Sequence, residues 1–162
     1  MRDRLDEVDL HILRLLQKDG RITNADLARE VKLSPPSVLQ RVRKLEELRI
    51  IRGYSTMLDQ ERLGFSITVF AQISLALHQE APIERFRRAV LDIPEILECY
   101  HVSGEFDFLL KIVVEDMKAY EALVRNKLSH IKGLGKIQTC FVLATTKMSR
   151  ELPLDRIDPL LQ

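Results

Sequence analysis

The sequence lacks the features that mark membrane, secreted and disulfide-stabilised proteins. It contains no tryptophan and only two cysteines, Cys99 and Cys140, which we interpret as reduced thiols in the core. No apolar run approaches the ~20 residues that a membrane helix requires. The first residues lead directly into a charged helical segment, which is unlike a signal peptide. The expected compartment is therefore the cytoplasm, with no membrane partner.

Motifs for catalysis are also missing. The four histidines are scattered and have no metal-ligand spacing with one another or with the cysteines. There is no glycine-rich phosphate loop and no serine-nucleophile elbow. Residues 98–101 (ECYH) are rich in reactive side chains, but they are more typical of an edge or interface strand than of a catalytic site. We expect no enzymatic activity, no cofactor and no metal.

What the chain does have is a local concentration of positive charge. The net charge of the 162 residues is only +1. Residues 32–52 nevertheless hold six basic and two acidic side chains, a net charge of +4, whereas residues 60–162 hold 13 basic and 14 acidic ones. Contact with nucleic-acid phosphates requires a basic patch of this kind.

Two helices joined by a tight turn are predicted in this basic part of the chain. Thr23 can cap the first helix, with Asp26 three places on, close to a capping box. Lys32-Leu33 form the turn, Ser34 can cap the second helix, and Pro35 suits its first position. So short a connection is typical of a DNA-binding helix-turn-helix, because the second helix must project while the first supports it.

A further helix and a strand complete the predicted N-terminal domain. Residues 5–18 carry apolar side chains at helical spacing and form the first helix of the chain. Residues 50–57 (IIRGYSTM) are predicted to form a strand, which places Arg52 in a wing beside the second helix of the pair. The domain is thus a winged helix-turn-helix over residues 1–57, followed by a linker over residues 58–65.

The second helix of the pair has one apolar and one polar face. At about 100° per residue, Val38, Val42 and Leu45 fall together on the buried side. The opposite side carries side chains that can donate to base edges and phosphates, with Arg41 on its flank. A solvated basic face, common in any protein, is the alternative. The preceding helix, the turn and the Ser-Pro-Pro start favour DNA recognition.

The polar face supplies the candidate DNA-binding residues. Arg43 and Lys44 are expected to bind phosphates. The first turns of the helix point into the groove, so the side chains nearer to base edges are expected to be Ser37, Gln40 and Arg41. The full set of candidates is Ser34, Pro36, Ser37, Gln40, Arg41, Arg43, Lys44 and Arg52.

The remainder of the chain, residues 66–162, changes to a period of two and alternates strands with helices. The order βαββαβ predicts a ferredoxin-like α+β domain, an antiparallel sheet with both helices on one face. The open face of that sheet is expected to expose Phe70, Phe108, Leu110 or their neighbours and to drive self-association. The predicted strands are 67–77, 96–102, 106–114 and 137–144, and the predicted helices are 82–92 and 117–131.

Three stretches resemble the Lrp/AsnC family of bacterial and archaeal transcriptional regulators. LDEVDLHILRLLQKDGRITNADLAREVKLSP resembles the N-terminal domain of that family, HVSGEFDFLLKIVVEDMKAY its effector-domain hairpin, and KIQTCFVLATTK its last strand. The resemblance covers nearly the whole chain. It implies a homodimer built through paired sheets, often assembled as a ring of four dimers, and an amino acid effector bound between subunits. The chain departs from the family at Arg49, where a glycine usually ends the recognition helix.

The candidate effector site is the hairpin tip Ser103-Gly104-Glu105-Phe106-Asp107. Gly104 lets backbone N–H groups approach a ligand carboxylate, and Asp107 or Glu105 can take the α-ammonium group. A plain hairpin turn uses the same residue types, and the resemblance favours the ligand site. A neighbouring subunit is expected to complete the site with its last strand. The candidates are His101, Ser103, Gly104, Glu105, Asp107, Thr139, Cys140 and Val142.

The preferred function is a sequence-specific DNA-binding transcriptional regulator whose activity or assembly responds to a small amino acid. Two functions of other classes compete with it. One is a small enzyme on the ferredoxin-like domain, which the absence of a nucleophile–base pair weakens. The other is an interaction module whose winged helix binds protein. The effector, the operator and the choice among dimer, tetramer and octamer stay open.

Overall fold

The computed structural model describes residues 5–76 and 80–157. The chain forms two compact units, one containing residues up to Met57 together with the segment from Lys147 onward, the other containing Leu58–Thr146. Among the described residues, no helix combines the length and the apolar character that crossing a bilayer requires. The same ranges contain no cluster of three His, Cys, Asp or Glu side chains able to hold a metal ion.

The first unit is built on three helices: α1 (Glu7–Lys18), α2 (Asn24–Val31) and α3 (Pro35–Glu47). Helices α2 and α3 begin at the predicted caps Thr23 and Ser34, and α1 begins at a cap that was not predicted, Asp6. The side chains of Asp6, Thr23 and Ser34 accept hydrogen bonds from backbone N–H groups three residues on. The core between the helices consists of apolar side chains including Leu10, Ile12, Leu27, Ala28, Val38, Val42 and Leu45.

Helix α3 ends in a left-handed turn at Arg49 (φ 55°). The Arg49 N–H donates to the Glu46 carbonyl and the Ile50 N–H to the Leu45 carbonyl, both at 2.9 Å. This pair of bonds is a Schellman motif, in which the left-handed residue is usually glycine. The departure of Arg49 from the family pattern therefore lies at a position of real backbone strain.

The wing predicted at residues 50–57 is not formed. None of the strands in the described ranges includes these residues. The Ile50 and Ile51 N–H groups turn back to the Leu45 carbonyl, and residues 52–57 beyond them have no regular secondary structure and are exposed. The residue types at 50–57 are suited to a strand. A strand needs a neighbouring strand to pair with, and the described residues contain none at this position.

The second unit is a sheet with two helices. Its elements are β1 (Ile67–Leu75), α4 (Glu80–Leu91), β2 (Ile96–His101), β3 (Phe108–Val114), α5 (Met117–Asn126) and β4 (Leu134–Phe141), so the predicted βαββαβ order is confirmed. The four strands form an antiparallel sheet in the order β2-β3-β1-β4. Helix α5 ends earlier than predicted and is followed by a short 3₁₀ turn at Leu128–His130. The predicted end of the first strand, Leu77, lies outside the described residues.

The register of β1 and β3 decides which side chains enter the core. Phe108 pairs with Ile73 and Leu110 with Ala71, and all four are buried on the helix-covered face. The prediction that Phe108 and Leu110 lie on the open face was therefore wrong, because a shift of one residue exchanges the two faces of a strand. The open face instead carries Phe70, Leu109, Tyr100 and Lys111.

The two cysteines are exposed, contrary to the prediction of core thiols. Cys99 lies in β2 and Cys140 in β4, the two edge strands of the sheet. Strand β4 alternates half-buried and exposed residues, and Cys140 falls on its exposed side. Apolar neighbours in the sequence do not bury a side chain when its strand has only one neighbour.

The C-terminal segment belongs to the first unit, although the sequence assigned residues 66–162 to one domain. Leu154 is buried in the core of the helical unit. The Gln17 side-chain amide donates to the Leu152 carbonyl at 3.2 Å and accepts from the Leu152 N–H at 2.7 Å. Arg14 Nε lies 2.8 Å from Asp155 Oδ1. One buried leucine and a two-way amide contact thus hold this segment on α1.

Candidate nucleic-acid interface and ligand site

The start of α3 is shaped to project from the helical unit. The Ser34 hydroxyl accepts from the Ser37 N–H at 3.4 Å, and two prolines fill the first helical positions, where no N–H is needed. Ser34 and Pro36 are exposed and Ser37 is half-buried. The predicted first turn therefore faces outward, as contact with a groove requires.

Three candidates share the outward face of α3. Gln40, Arg43 and Lys44 are exposed, and their side chains form no hydrogen bond or ion pair within the described residues. The opposite face, at Val38 and Leu45, is fully buried. The outward face of α3 therefore presents one amide and two cations, groups that can contact base edges and phosphates. Arg52 is also exposed, but in the segment that does not form a wing.

Arg41 differs from the other candidates on α3. Its Nη1 atom lies 2.7 Å from Asp6 Oδ2 and 2.7 Å from Asp9 Oδ1. The hydrogen bonds that Arg41 donates to the two carboxylates, and less strongly the charge of those carboxylates, raise the pKa of the Arg41 guanidinium. This side chain is bound to two carboxylates at the start of α1, and its place near base edges stays a prediction.

A contact that the sequence analysis missed holds the segment after α3. The Tyr54 hydroxyl donates to Glu46 Oε1 at 3.0 Å. Partial burial and the neighbouring carboxylate raise the pKa of Tyr54 to about 12. The spacing of eight residues between an acidic helix end and an aromatic side chain was the available signal. The bond ties the extended segment that carries Arg52 to the recognition helix.

The hairpin tip between β2 and β3 brings the first group of effector candidates together. Gly104 has φ +130°, a conformation that L residues rarely adopt. Ser103, Gly104 and Glu105 are exposed. A Cβ added at Gly104 would meet no other atom within 4 Å, so that side of the turn is open. The tip thus has the accessibility that a carboxylate-binding turn needs.

Asp107 has a structural role at the base of this hairpin. Its Oδ2 accepts from the Leu75 N–H at 2.7 Å, and its own N–H donates to the Ile73 carbonyl at 2.8 Å. Asp107 also takes part in at least one further interaction. These contacts fix the hairpin against the end of β1.

The candidates on the neighbouring strands point in different directions. His101 stacks on Phe108 with ring centroids 4.8 Å apart and lies 3.1 Å from Arg87 Nη2. The Thr139 hydroxyl forms a 2.7 Å hydrogen bond with the Tyr120 hydroxyl, on the helix-covered face. Cys140 follows on the opposite face, as strand alternation requires. Within one subunit Thr139 and Cys140 therefore lie on opposite faces of the sheet. Val142 follows the end of β4, is half-buried, and donates its N–H to the Thr68 carbonyl at 3.0 Å.

A groove lies between α5 and β4, and Tyr120 and Thr139 are among the residues that line it. Its volume is about 560 Å³. No local sequence pattern predicts it, since helix and strand are far apart in the chain. Most of its lining surface is apolar, from Met117, Tyr120, Val124, Ile137 and Phe141, and its polar members are Glu121, Arg125, Ser129 and Thr139.

Comparisons with protein families match nearly the whole chain. Residues 5–46 match the AsnC-type helix-turn-helix domain. Residues 68–152 match the Lrp/AsnC ligand binding domain. The first match contains α1, α2 and most of α3, and the second contains the sheet and both helices of the second unit.

Individual proteins extend this likeness. The Bkd operon transcriptional regulator of Pseudomonas aeruginosa is 39% identical over 150 residues, which cover 93% of this chain and 98% of that protein. The leucine-responsive regulatory protein of Escherichia coli is 43% identical over 148 residues, 91% of this chain and 90% of that protein. A transcriptional regulator from Neisseria meningitidis, crystallised with L-methionine, is 35% identical with a TM-score of 0.89, over 93% of this chain and 97% of that one.

Proposed function

The chain belongs to the Lrp/AsnC family of transcriptional regulators, DNA-binding proteins and not enzymes, and on that premise we propose how its own residues serve regulation. Helix α3 recognises a specific duplex sequence, with Gln40 near base edges and Arg43 and Lys44 on phosphates. The observation that carries this proposal is the outward face of α3. It presents an amide and two cations while its opposite face is buried. The proposed compartment is the cytoplasm, because the duplex DNA that α3 is proposed to recognise is found there.

The proposed effector is a small amino acid bound at the hairpin tip. Gly104 offers backbone N–H groups to the α-carboxylate, and Glu105 is exposed beside it for the α-ammonium group. We assign Asp107 first to holding the hairpin, since its carboxylate already accepts the Leu75 N–H. The Neisseria relative crystallised with L-methionine and the E. coli relative named for its leucine response make those two amino acids the first to test.

Self-association is part of the proposal. The open face of the sheet carries Phe70, Leu109 and Tyr100 beside the Lys111–Glu98 ion pair, a partly apolar surface suited to the sheet of a second copy. A dimer formed in this way, and a ring of such dimers, would bring a neighbouring chain to the hairpin tip. Leu109→Lys should convert the full-length protein to a smaller species in analytical ultracentrifugation, and an unchanged mass distribution contradicts the use of this face.

Selection from a pool of random duplexes tests the DNA-binding proposal. The full-length protein should enrich one sequence, and its affinity for that duplex should fall steeply as salt is raised. Selection of no sequence, or binding that salt does not weaken, contradicts it. The effector is identified separately by thermal unfolding of the full-length protein with each of the twenty amino acids, since a ligand specific for the native state raises the melting temperature.

A further inference from the structure

The start of α1 carries a closed arrangement of two carboxylates. Asp6 caps the helix and accepts the Asp9 N–H at 2.8 Å through Oδ1, while Asp9 accepts the Asp6 N–H at 3.2 Å through Oδ2. This reciprocal capping box uses one oxygen of each side chain. The two remaining oxygens both accept from the same atom, Arg41 Nη1, at 2.7 Å. Arg41 therefore closes the capping box of one helix from the side of another.

Burial requires that the charges in this three-residue contact be paired. The Asp9 side chain is only 7% exposed, and that of Arg41 is 33% exposed. A buried carboxylate without its cation is strongly unfavourable, whereas a paired one with fully used oxygens is tolerated. Partial burial opposes ionisation of Asp6, but the Asp9 N–H and Arg41 outweigh it and lower the pKa of the Asp6 carboxyl. The geometry thus favours one arrangement of α3 on α1 over neighbouring ones.

The apolar contacts between the same helices are less selective. Val38, Val42 and Leu45 bury α3 in the core, but aliphatic side chains permit small rotations with little change in buried area. Arg41 directly follows Gln40 and lies two places before Arg43 and three before Lys44. Any rotation of α3 that breaks the ion pairs also turns the outward face. The orientation of that face is therefore linked to the carboxylates of α1.

We infer that Arg41 is a positioning residue, which fixes the rotation of the recognition helix through Asp6 and Asp9 and does not itself read DNA. This inference rests on the proposed DNA-binding function and specifies its geometry. It predicts a change in DNA affinity opposite in sign to the change that simple electrostatics predicts. Removing a carboxylate near bound DNA should strengthen binding by charge alone, whereas loss of the clamp formed by Asp6, Asp9 and Arg41 should weaken specific binding.

The test uses Asp6→Asn in the full-length protein. Asparagine caps a helix as well as aspartate does, so α1 stays capped while one of the two ion pairs is lost. We expect binding to the selected duplex to weaken roughly tenfold, the loss expected when a base contact is misaligned. Binding to an unrelated duplex should stay the same or strengthen. Asp9→Asn, at the buried member, should show the same split more strongly.

Glu7→Gln is the matched control, because it removes one negative charge from the same turn of α1 without touching the clamp. It should not weaken binding to the selected duplex. Circular dichroism melting establishes that each variant is folded at the binding temperature. In an Arg41→Met background, Asp6→Asn should produce no further loss of specific binding, since the clamp is already broken.

Three outcomes contradict the clamp, and they differ in what they mean for the proposed function. Stronger binding of Asp6→Asn to both duplexes overturns the clamp, because it means that the released Arg41 binds DNA or that only charge counts. Unchanged binding to the selected duplex overturns the clamp alone and leaves the proposed function standing. If the unsubstituted protein selects no duplex, the proposed function falls and the clamp falls with it.

Discussion

Lys32 and Arg49 occupy equivalent positions at the ends of α2 and α3. Each has a left-handed backbone, with φ 54° and 55°. At both ends the N–H of the left-handed residue donates three residues back, and the next N–H donates five residues back. Glycine is the usual residue in such a turn, so two basic side chains are held here at a cost in backbone strain.

Replacement of Arg49 by glycine should stabilise the helical unit. Relief of the left-handed strain is worth roughly 1 kcal/mol in the free energy of unfolding, reduced by loss of a cation near a helix C-terminus. Urea unfolding of the full-length protein measures the difference. Lys32→Gly is the matched control, with the same backbone conformation after a different helix, and it should change stability in the same direction. A destabilised Arg49→Gly protein would show that the guanidinium makes a compensating contact.

Lys44→Ala should weaken binding to the selected duplex and to an unrelated duplex alike. Because Lys44 is expected to bind phosphate, the dependence of log affinity on log salt should become shallower by about one unit. Lys18→Ala removes an equal charge at the end of α1 and should leave that slope nearly unchanged. Loss of specific binding with intact non-specific binding would assign Lys44 to base recognition instead.

Asp107→Asn separates the two possible roles of that residue. The amide oxygen can still accept the Leu75 N–H, so the hairpin should persist, while the negative charge is lost. If Asp107 only holds the hairpin, amino acid affinity measured by calorimetry should change less than twofold, whereas Glu105→Gln should reduce it by about tenfold, as expected for loss of a charge-assisted hydrogen bond. The reverse pattern makes Asp107 the partner of the ammonium group.

Leu154→Ala should destabilise the helical unit by about 2–4 kcal/mol, the range for a buried leucine truncated to alanine. Leu152 provides the control, because its backbone contacts Gln17 while its side chain is 67% exposed. Leu152→Ala should therefore change the free energy of unfolding by less than ~0.5 kcal/mol. Equal effects of the two substitutions would contradict the placement of the C-terminal segment.

The contribution of the Tyr54 hydroxyl to stability should disappear at alkaline pH. Its pKa in the folded protein is raised from 10.0 to about 12, so the native state favours the neutral phenol. Stability from this group is fully present below pH 10 and is lost as the pH rises to about 12. The difference in unfolding free energy between the wild-type protein and Tyr54→Phe should shrink over that window. A difference that stays constant or grows would contradict the Tyr54–Glu46 hydrogen bond.

Local patterns predicted most of the fold. Caps at Thr23 and Ser34 and the change of hydrophobic period at Ser66 act over a few residues, and the structure has helices and strands where they indicate. What these patterns could not predict involves partners that are distant in the sequence. The wheel of α3 contains no information about Asp9, 32 residues earlier, so it could not show that Arg41 binds the carboxylates of α1.

The same dependence on distant partners explains the outcome of other predictions. The assignment of Phe108 to the open face failed because pairing with β1, which sets the face, is not visible within β3. The strand predicted at residues 50–57 had suitable composition but no partner in the described ranges. The effector candidates on β4 require a neighbouring chain by the terms of their own prediction, so one sequence could propose them but could not place them.

The return of Leu154 to the helical core has a consequence for biosynthesis. The ribosome makes α1, α2 and α3 first, but it makes Leu154 only after all of residues 58–146. The nascent helical unit therefore lacks part of its core while the ligand-binding unit is being made. The core of the helical unit is therefore complete only after the sheet of the second unit has been synthesised. The contact of Arg41 with Asp6 and Asp9 does not wait for that step, because all three residues are synthesised with the helices.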